Sequence, residues 1–208
     1  MFKKILVLAP HTDDGELGCG GTIAKFIEEG REVYCAAFSI AEDSVPPGFA
    51  KDTLIGEFSS AMKELGVPYN NISIFRYKVR HFPTYRQEIL EDIVKLRSKI
   101  QPDLVFVPSP NDIHQDHQVI TAEGLRTFKK ISVLGYELPW NNIIFETRSF
   151  VKLEFRHIQK KIEALKSYKT QMHRSYLNED FLWGLAKTRG TQFESEYAES
   201  FEVLRIII

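Results

Sequence analysis

Apolar positions follow two alternating rhythms along the first two thirds of this chain. Ile5 to Leu8, Val33 to Phe38, Ile72 to Phe75, Leu104 to Val107 and Ser132 to Tyr136 are short runs, rich in β-branched and aromatic residues, that read as strands. Between them the apolar spacing changes to three and four. Thr22 to Glu29 reads as a helix with Ile23, Phe26 and Ile27 on one face and Gly30 as its cap. Asp52 to Leu65 carries Leu54, Phe58, Met62 and Leu65 on one side and stops at Gly66. Tyr85 to Ile100 faces inward through Ile89, Ile93, Leu96 and Ile100, and Gln118 to Phe128 reads as a further helix.

This order predicts an α/β fold in which a mostly parallel sheet is flanked by helices on both faces. After Tyr136 the rhythm breaks. Asn141 to Leu153 reads as a hairpin or edge strands, and His157 to Tyr168 as an amphipathic helix through Ile158, Ile162 and Leu165. Phe201 to Ile208 reads as a last strand, so the sheet gains a C-terminal hairpin or edge-strand extension. The segment Ile40 to Lys51, with Pro46, Pro47 and Gly48, is the longest predicted loop. It follows the carboxyl end of a strand, where a loop lines or covers a site.

Bulk properties narrow the function classes. The 208 residues fit one domain spanning 1–208, and 43% hydrophobic with 26% charged residues is ordinary globular composition. A formal net charge of −1 gives no global attraction to nucleic acid or anionic lipid. Cys19 and Cys35 form no disulfide framework. Met1-Phe2-Lys3-Lys4 runs straight into a strand, with no signal-peptide core and no membrane-length apolar run. The expectation is a cytoplasmic protein that takes a small molecule, with no nucleic acid and no membrane span. The apolar tail Ile206-Ile207-Ile208 is a buried strand or part of a homo-oligomer interface.

Two polar clusters break the apolar runs. His11-Thr12-Asp13-Asp14 follows the first strand, and His114-Gln115-Asp116-His117 follows the fourth. In parallel sheets ligands bind beyond the carboxyl ends of strands, so both clusters fall at that edge. Singly, a His or an Asp pair there is equally a solvated loop or a helix cap. Together they point to a hydrolytic metal site, because catalytic zinc takes three His or carboxylate ligands and keeps a position open. His11, Asp14 and His117 are the natural ligands. Asp13 suits the general base that deprotonates the attacking water. His114 suits a partner for the oxyanion or for the leaving amine, and Asp116 would fix the tautomer of His114. Zinc is the preferred ion, with iron(II) or another divalent metal compatible with the same ligands. Gly18, Gly20 and Gly21 depart from the dinucleotide fingerprint and read as a tight turn packed near the metal loop.

The stretch His11-Thr12-Asp13-Asp14-Gly15-Glu16-Leu17-Gly18-Cys19-Gly20-Gly21 resembles the signature of the LmbE-like, or PIG-L, zinc N-deacetylases. Asn111-Asp112-Ile113-His114-Gln115-Asp116-His117 resembles their second motif. Weaker likenesses extend through Glu57, Ala61, Leu65 and Gly66, through Lys161, Ala164, Tyr168 and Gln171, and through Tyr197 to Phe201. The resemblance implies a Rossmann-like domain that removes an acyl group from an amino sugar, with the same ligands, base and partner residues. Thr12 stands where the family has Pro, and Gly15 where an acidic or apolar residue is commoner. Leu54 stands where many relatives carry a substrate-contacting Arg. After the third strand, where an Asp is usual, the chain reads Arg76-Tyr77-Lys78-Val79-Arg80-His81.

That basic, aromatic segment suits an anionic substrate such as a sugar phosphate or nucleotide-linked sugar, as well as a solvated loop. Arg80, Glu137, Trp140 and Asn141 are the candidate substrate contacts, the aromatic ring as a stacking face for a sugar. A protein that only binds metal or sugar on this scaffold is the alternative. Asp13 and His114 speak against it, because binding alone needs neither.

Overall fold

The computed structural model describes residues 2–207. Strands β1 (Lys4–His11), β2 (Glu32–Ser39), β3 (Ile72–Ile74), β4 (Leu104–Pro108) and β5 (Ser132–Tyr136) run parallel. Strand β7 (Tyr197–Arg205) pairs antiparallel with β5, and β6 (Ser149–Leu153) antiparallel with β7. The sheet order is β3-β2-β1-β4-β5-β7-β6, so β1 and β4 are neighbours although nearly a hundred residues separate them.

Two-residue periodicity sorts the strands between two apolar layers. Ile5 and Val7 of β1 face one layer, completed by α1 (Asp14–Glu28), α2 (Thr53–Leu65), α5 (Phe155–Leu165) and α6 (Glu179–Thr191). Leu6 and Leu8 face the other, completed by α3 (Arg86–Ile100) and α4 (Gln115–Thr127). The crossovers from β1 and β2 thus lie on one face and those from β3 and β4 on the other. The winding reverses between β1 and β4, which opens a crevice at their carboxyl ends.

Several boundaries differ from expectation. The first helix begins at Asp14, not Thr22, and bends at Cys19, whose φ and ψ are −145° and 24°. Its glycines make no turn. They admit close neighbours: a Cβ at Gly18 would overlap the Tyr136 ring, and one at Gly20 would stand 2.8 Å from Lys161 Cγ. The bend is spliced by a buried ion pair. Glu199 accepts the Gly21 and Thr22 amides at 3.0 and 2.7 Å, capping the second half of the helix. Lys161 Nζ donates to Glu199 at 2.7 Å and to the Leu17 carbonyl at 2.6 Å, capping the first half. Each charge sits at the end of the helix dipole that favours it.

The segment Asn141 to Leu153, expected as a hairpin or edge strands, supplies the edge strand β6 and, at Asn142, a single bridge to Asp112. Helix α4 starts at Gln115 rather than Gln118, and α5 covers Phe155–Leu165 rather than His157 to Tyr168. The last strand begins at Tyr197 and ends at Arg205. Ile206 and Ile207 are exposed, so that tail is not a buried strand; Ile208 lies outside the described residues. Both cysteines are free and buried. Among the described residues, no helix is long and apolar enough to cross a membrane.

Candidate metal centre

His11 closes β1, and Asp13 and Asp14 follow it into the first turn of α1. His114 caps α4, which places Asp116 and His117 in that helix's first turn. Pairing of β1 with β4 brings the two clusters together at the crevice. The Asp14 Oδ2 lies 3.1 Å from His11 Nδ1 and 3.3 Å from His117 Nε2, and those two nitrogens are 3.3 Å apart. A tetrahedral ion with ligands at about 2.0–2.1 Å requires donor spacings of about 3.3 Å, so these three atoms fit one. His114 is the next nearest imidazole: one nitrogen from each of His11, His114 and His117 lies within 4.8 Å of the others. These three histidines could therefore also hold a metal ion.

The far nitrogens of both ligand-type histidines are engaged. His117 Nδ1 meets Asp112 Oδ2 at 2.7 Å, and His11 Nε2 meets Asp116 Oδ2 at 3.0 Å. A carboxylate behind a histidine fixes the tautomer that turns the other nitrogen toward a metal. Asp116 thus serves His11, not His114 as expected from the sequence. Its carboxylate also accepts the Arg80 and Phe82 amides at 2.6 and 3.2 Å, and only its backbone N–H reaches His114, donating to Nδ1 at 3.2 Å. The remaining nitrogen of a neutral His114, Nε2, then carries the proton. Asp112, which the sequence reading passed over, also accepts the His114 amide at 2.8 Å.

Charge follows this geometry. For His11 and His117 burial works against protonation, but the Asp14 carboxylate and the carboxylates behind the rings outweigh it and raise them to about 9 and about 10. Asp14 resists burial through the two imidazoles and stays well below the usual carboxylate range. Asp13 moves the other way: burial and the Asp14 charge raise it to about 6. His114 is lowered to about 4 by burial and by its imidazole neighbours, so it is neutral at pH 7. Beneath the loop, burial pushes Glu16 well above the usual range, and it lies 2.5 Å from the Tyr168 hydroxyl, which also bonds the Thr12 carbonyl.

Over these groups opens a cavity of about 260 Å³ lined by Asp13, Asp14, His11, His114 and His117. Ala41 and Ser44 of the predicted loop and Val79 and Arg80 of the basic segment form part of its wall, with Leu54, Trp140 and Asn141. Arg80, Trp140 and Asn141 thus line the same cavity as the metal-type residues. Glu137 does not. It is buried against α6, where Arg189 Nε donates to it at 2.9 Å, because it faces a helix the sequence pattern did not reveal. Gln171, part of the weaker family likeness, and Arg174 and Tyr176, which the sequence did not single out, join the wall from short turns.

The chain matches the family described as PIG-L, GlcNAc-PI de-N-acetylase, over residues 6–128. The uncharacterized deacetylase YaiS of Escherichia coli K12 is 29% identical over 176 residues, which cover 81% of this chain and 91% of that protein. The N,N'-diacetylchitobiose deacetylase of Pyrococcus horikoshii, solved with its inhibitor, superposes at a TM-score of 0.81 with 22% identity, over 98% of this chain and 84% of its own. GalB of Pseudomonas putida KT2440, a 4-carboxy-2-hydroxymuconate hydratase, superposes at 0.78 with 20% identity, over 99% and 98%. These two structures share the fold, and the fold alone thus carries more than one reaction.

Proposed function

This chain belongs to the PIG-L, GlcNAc-PI de-N-acetylase family, and from that premise we propose that it removes an N-acetyl or other N-acyl group from an amino sugar or sugar conjugate by metal-assisted amide hydrolysis. The observation that carries the reading is the His11–Asp14–His117 triad with Asp13 and His114 beside it in one cavity. A divalent cation held by that triad, zinc by preference, would polarise the amide carbonyl and acidify the attacking water.

The chain's own groups do the rest. Asp13, buried beside Asp14, is placed to act as the base: it accepts the water proton and returns it to the departing amine. His114, neutral with its proton on Nε2, donates to the oxygen that gains negative charge as the carbonyl is attacked. Of the two roles the sequence left open to His114, its low proton affinity favours this one. Asp112 and Asp116 meet the far nitrogens of His117 and His11, and would so hold both rings in the tautomers suited to bind a cation. The products are a carboxylate and a free amine. One domain over 1–208, acting in the cytoplasm, completes the reading.

The test is amine release from a panel of N-acetylated sugars, free, glycoside-linked and nucleotide-linked, with zinc and with chelator. Because the same fold carries a hydratase, the assay reads the amine itself. Zinc-dependent release is expected. Asp13→Asn should abolish turnover while retaining metal, and His117→Ala should weaken metal binding. Full activity in either variant refutes the roles assigned, and a metal-replete protein inactive on the whole panel favours a binding function instead.

A further inference from the structure

The cavity wall carries a charge pattern that amide hydrolysis does not use. Arg76, Lys78 and Arg80 stand at alternate positions opposite Glu42, Asp43 and Ser44. Arg76 is ion-paired with Glu42, and Lys78 Nζ lies 3.6 Å from Asp43. Among the described residues, the Arg80 side chain meets only a hydroxyl, Ser44 Oγ at 2.9 Å. Among the described residues, the cation of this row that has no carboxylate partner is the one that lines the cavity. Arg174, on the same cavity from a distant part of the chain, also has no carboxylate partner among the described residues.

The backbone of Arg80 is held for this position. Its φ of 68° lies in the left-handed region, which a residue with a side chain occupies only when its surroundings enforce it. Its N–H donates to Asp116 at 2.6 Å and its carbonyl accepts from Gln115 Nε2 at 3.3 Å. A guanidinium offers five donors in a planar fork, and Ser44 takes one. Near by, the Trp140 and Tyr176 rings stack at 4.1 Å with 12° between their planes and both line the cavity. The carboxylates on the cavity, Asp13 and Asp14, belong to the catalytic cluster.

We propose that Arg80, aided by Arg174, is a specificity determinant for an oxyanion carried by the substrate. The N-acylated amino sugar then bears a phosphate or carboxylate next to the ring. This deepens the hydrolase reading and rests on it. Two unpaired guanidinium groups on the wall of a cavity bind such a group through charge-assisted, forked hydrogen bonds.

The test compares three glycosides of N-acetylglucosamine that differ only at the anomeric substituent: methyl, 1-phosphate and carboxymethyl. With the zinc-loaded enzyme, one or both anionic substrates should exceed the methyl glycoside about 10- to 100-fold in kcat/KM, mainly through KM. The preference should shrink as salt rises, and the larger of the two ratios tells phosphate from carboxylate. Arg80→Ala should collapse the ratio toward one, and Arg80→Lys should keep part of it. A parallel calorimetric titration with glucose 1-phosphate and methyl glucoside, which have no amide, reads the anion site without turnover. An Arg80-dependent preference there, with no amine released from any substrate, leaves the anion site standing and removes the hydrolase reading. Equal treatment of neutral and anionic ligands in both assays overturns the proposal. So does a preference that survives in both Arg80→Ala and Arg174→Ala.

Discussion

Replacing Lys161 by Met tests whether the bend in α1 depends on its ion pair. The side chains of Lys161 and Glu199 are 6% and 7% exposed, so solvent screens the pair little. Met keeps the apolar stem that lies over Gly20 but removes the ammonium that neutralises Glu199 and caps the Leu17 carbonyl. Stranding one member of a buried pair costs about 3–5 kcal/mol. Glu199 retains its bonds from the Gly21 and Thr22 amides, which places the loss toward the lower end, about 3 kcal/mol. For a domain of this size each kcal/mol lowers Tm by about 2–4 °C, so a fall of about 6–12 °C is expected. Circular dichroism melts and urea titrations would measure it, with Glu199→Gln and the double variant completing a cycle. The double variant should recover part of the loss, because it no longer buries an unpaired charge. A cost for Lys161→Met below about 1 kcal/mol, or strict additivity in the cycle, would show that the pair does not hold the bend.

Four further outcomes follow from the site and its packing. Asp112→Ala should weaken metal affinity about 10- to 100-fold by freeing His117, as read by competition with a chelating dye; unchanged affinity would remove Asp112 from that role. Zinc binding at pH 7 should expel protons from His11 and His117, so its heat should vary between buffers of different ionisation enthalpy; a heat independent of buffer counts against the ligand set. In the chelated protein these two groups lie above their ordinary 6.5, so the stability they lend is complete below about pH 6.5 and is lost as pH climbs through about 9 and 10. Gly18→Ala should cost about 1–3 kcal/mol, since its methyl would overlap the buried Tyr136 ring; an unaltered melting curve would mean the helix shifts freely.

Where sequence reading succeeded, one physical signal dominated. The parallel strands alternate between two apolar layers or run wholly buried, and their periodicity is visible without coordinates. The metal-type residues were legible because an apolar run ended in them twice. The first half of α1 was not, since its glycines lack helix propensity and earn their places through contacts with Tyr136 and Leu153 from other elements. Helix α6 was missed because it buries only Leu182, Ala186 and Gly190, a stripe too narrow and too small to register as amphipathic. The error over Asp116 has the same origin. Sequence neighbours suggested His114, but the carboxylate turns to a histidine 105 positions away, and pairings across that distance leave no local trace.

Asp116 joins three segments at one carboxylate: the end of β1 through His11, the wall through Arg80 and Phe82, and α4, to which it belongs. If the proposed metal and anion sites are both filled, this shared acceptor would couple the two ends of the cavity. A ligand that steadies the Arg80 backbone also steadies the acceptor that orients His11, and so tightens metal. Reciprocity then requires metal to tighten that ligand by the same factor. Affinities measured on stripped protein would understate the working value, and a loss of zinc affinity in an Arg80 variant would report this shared hinge rather than a lost ligand.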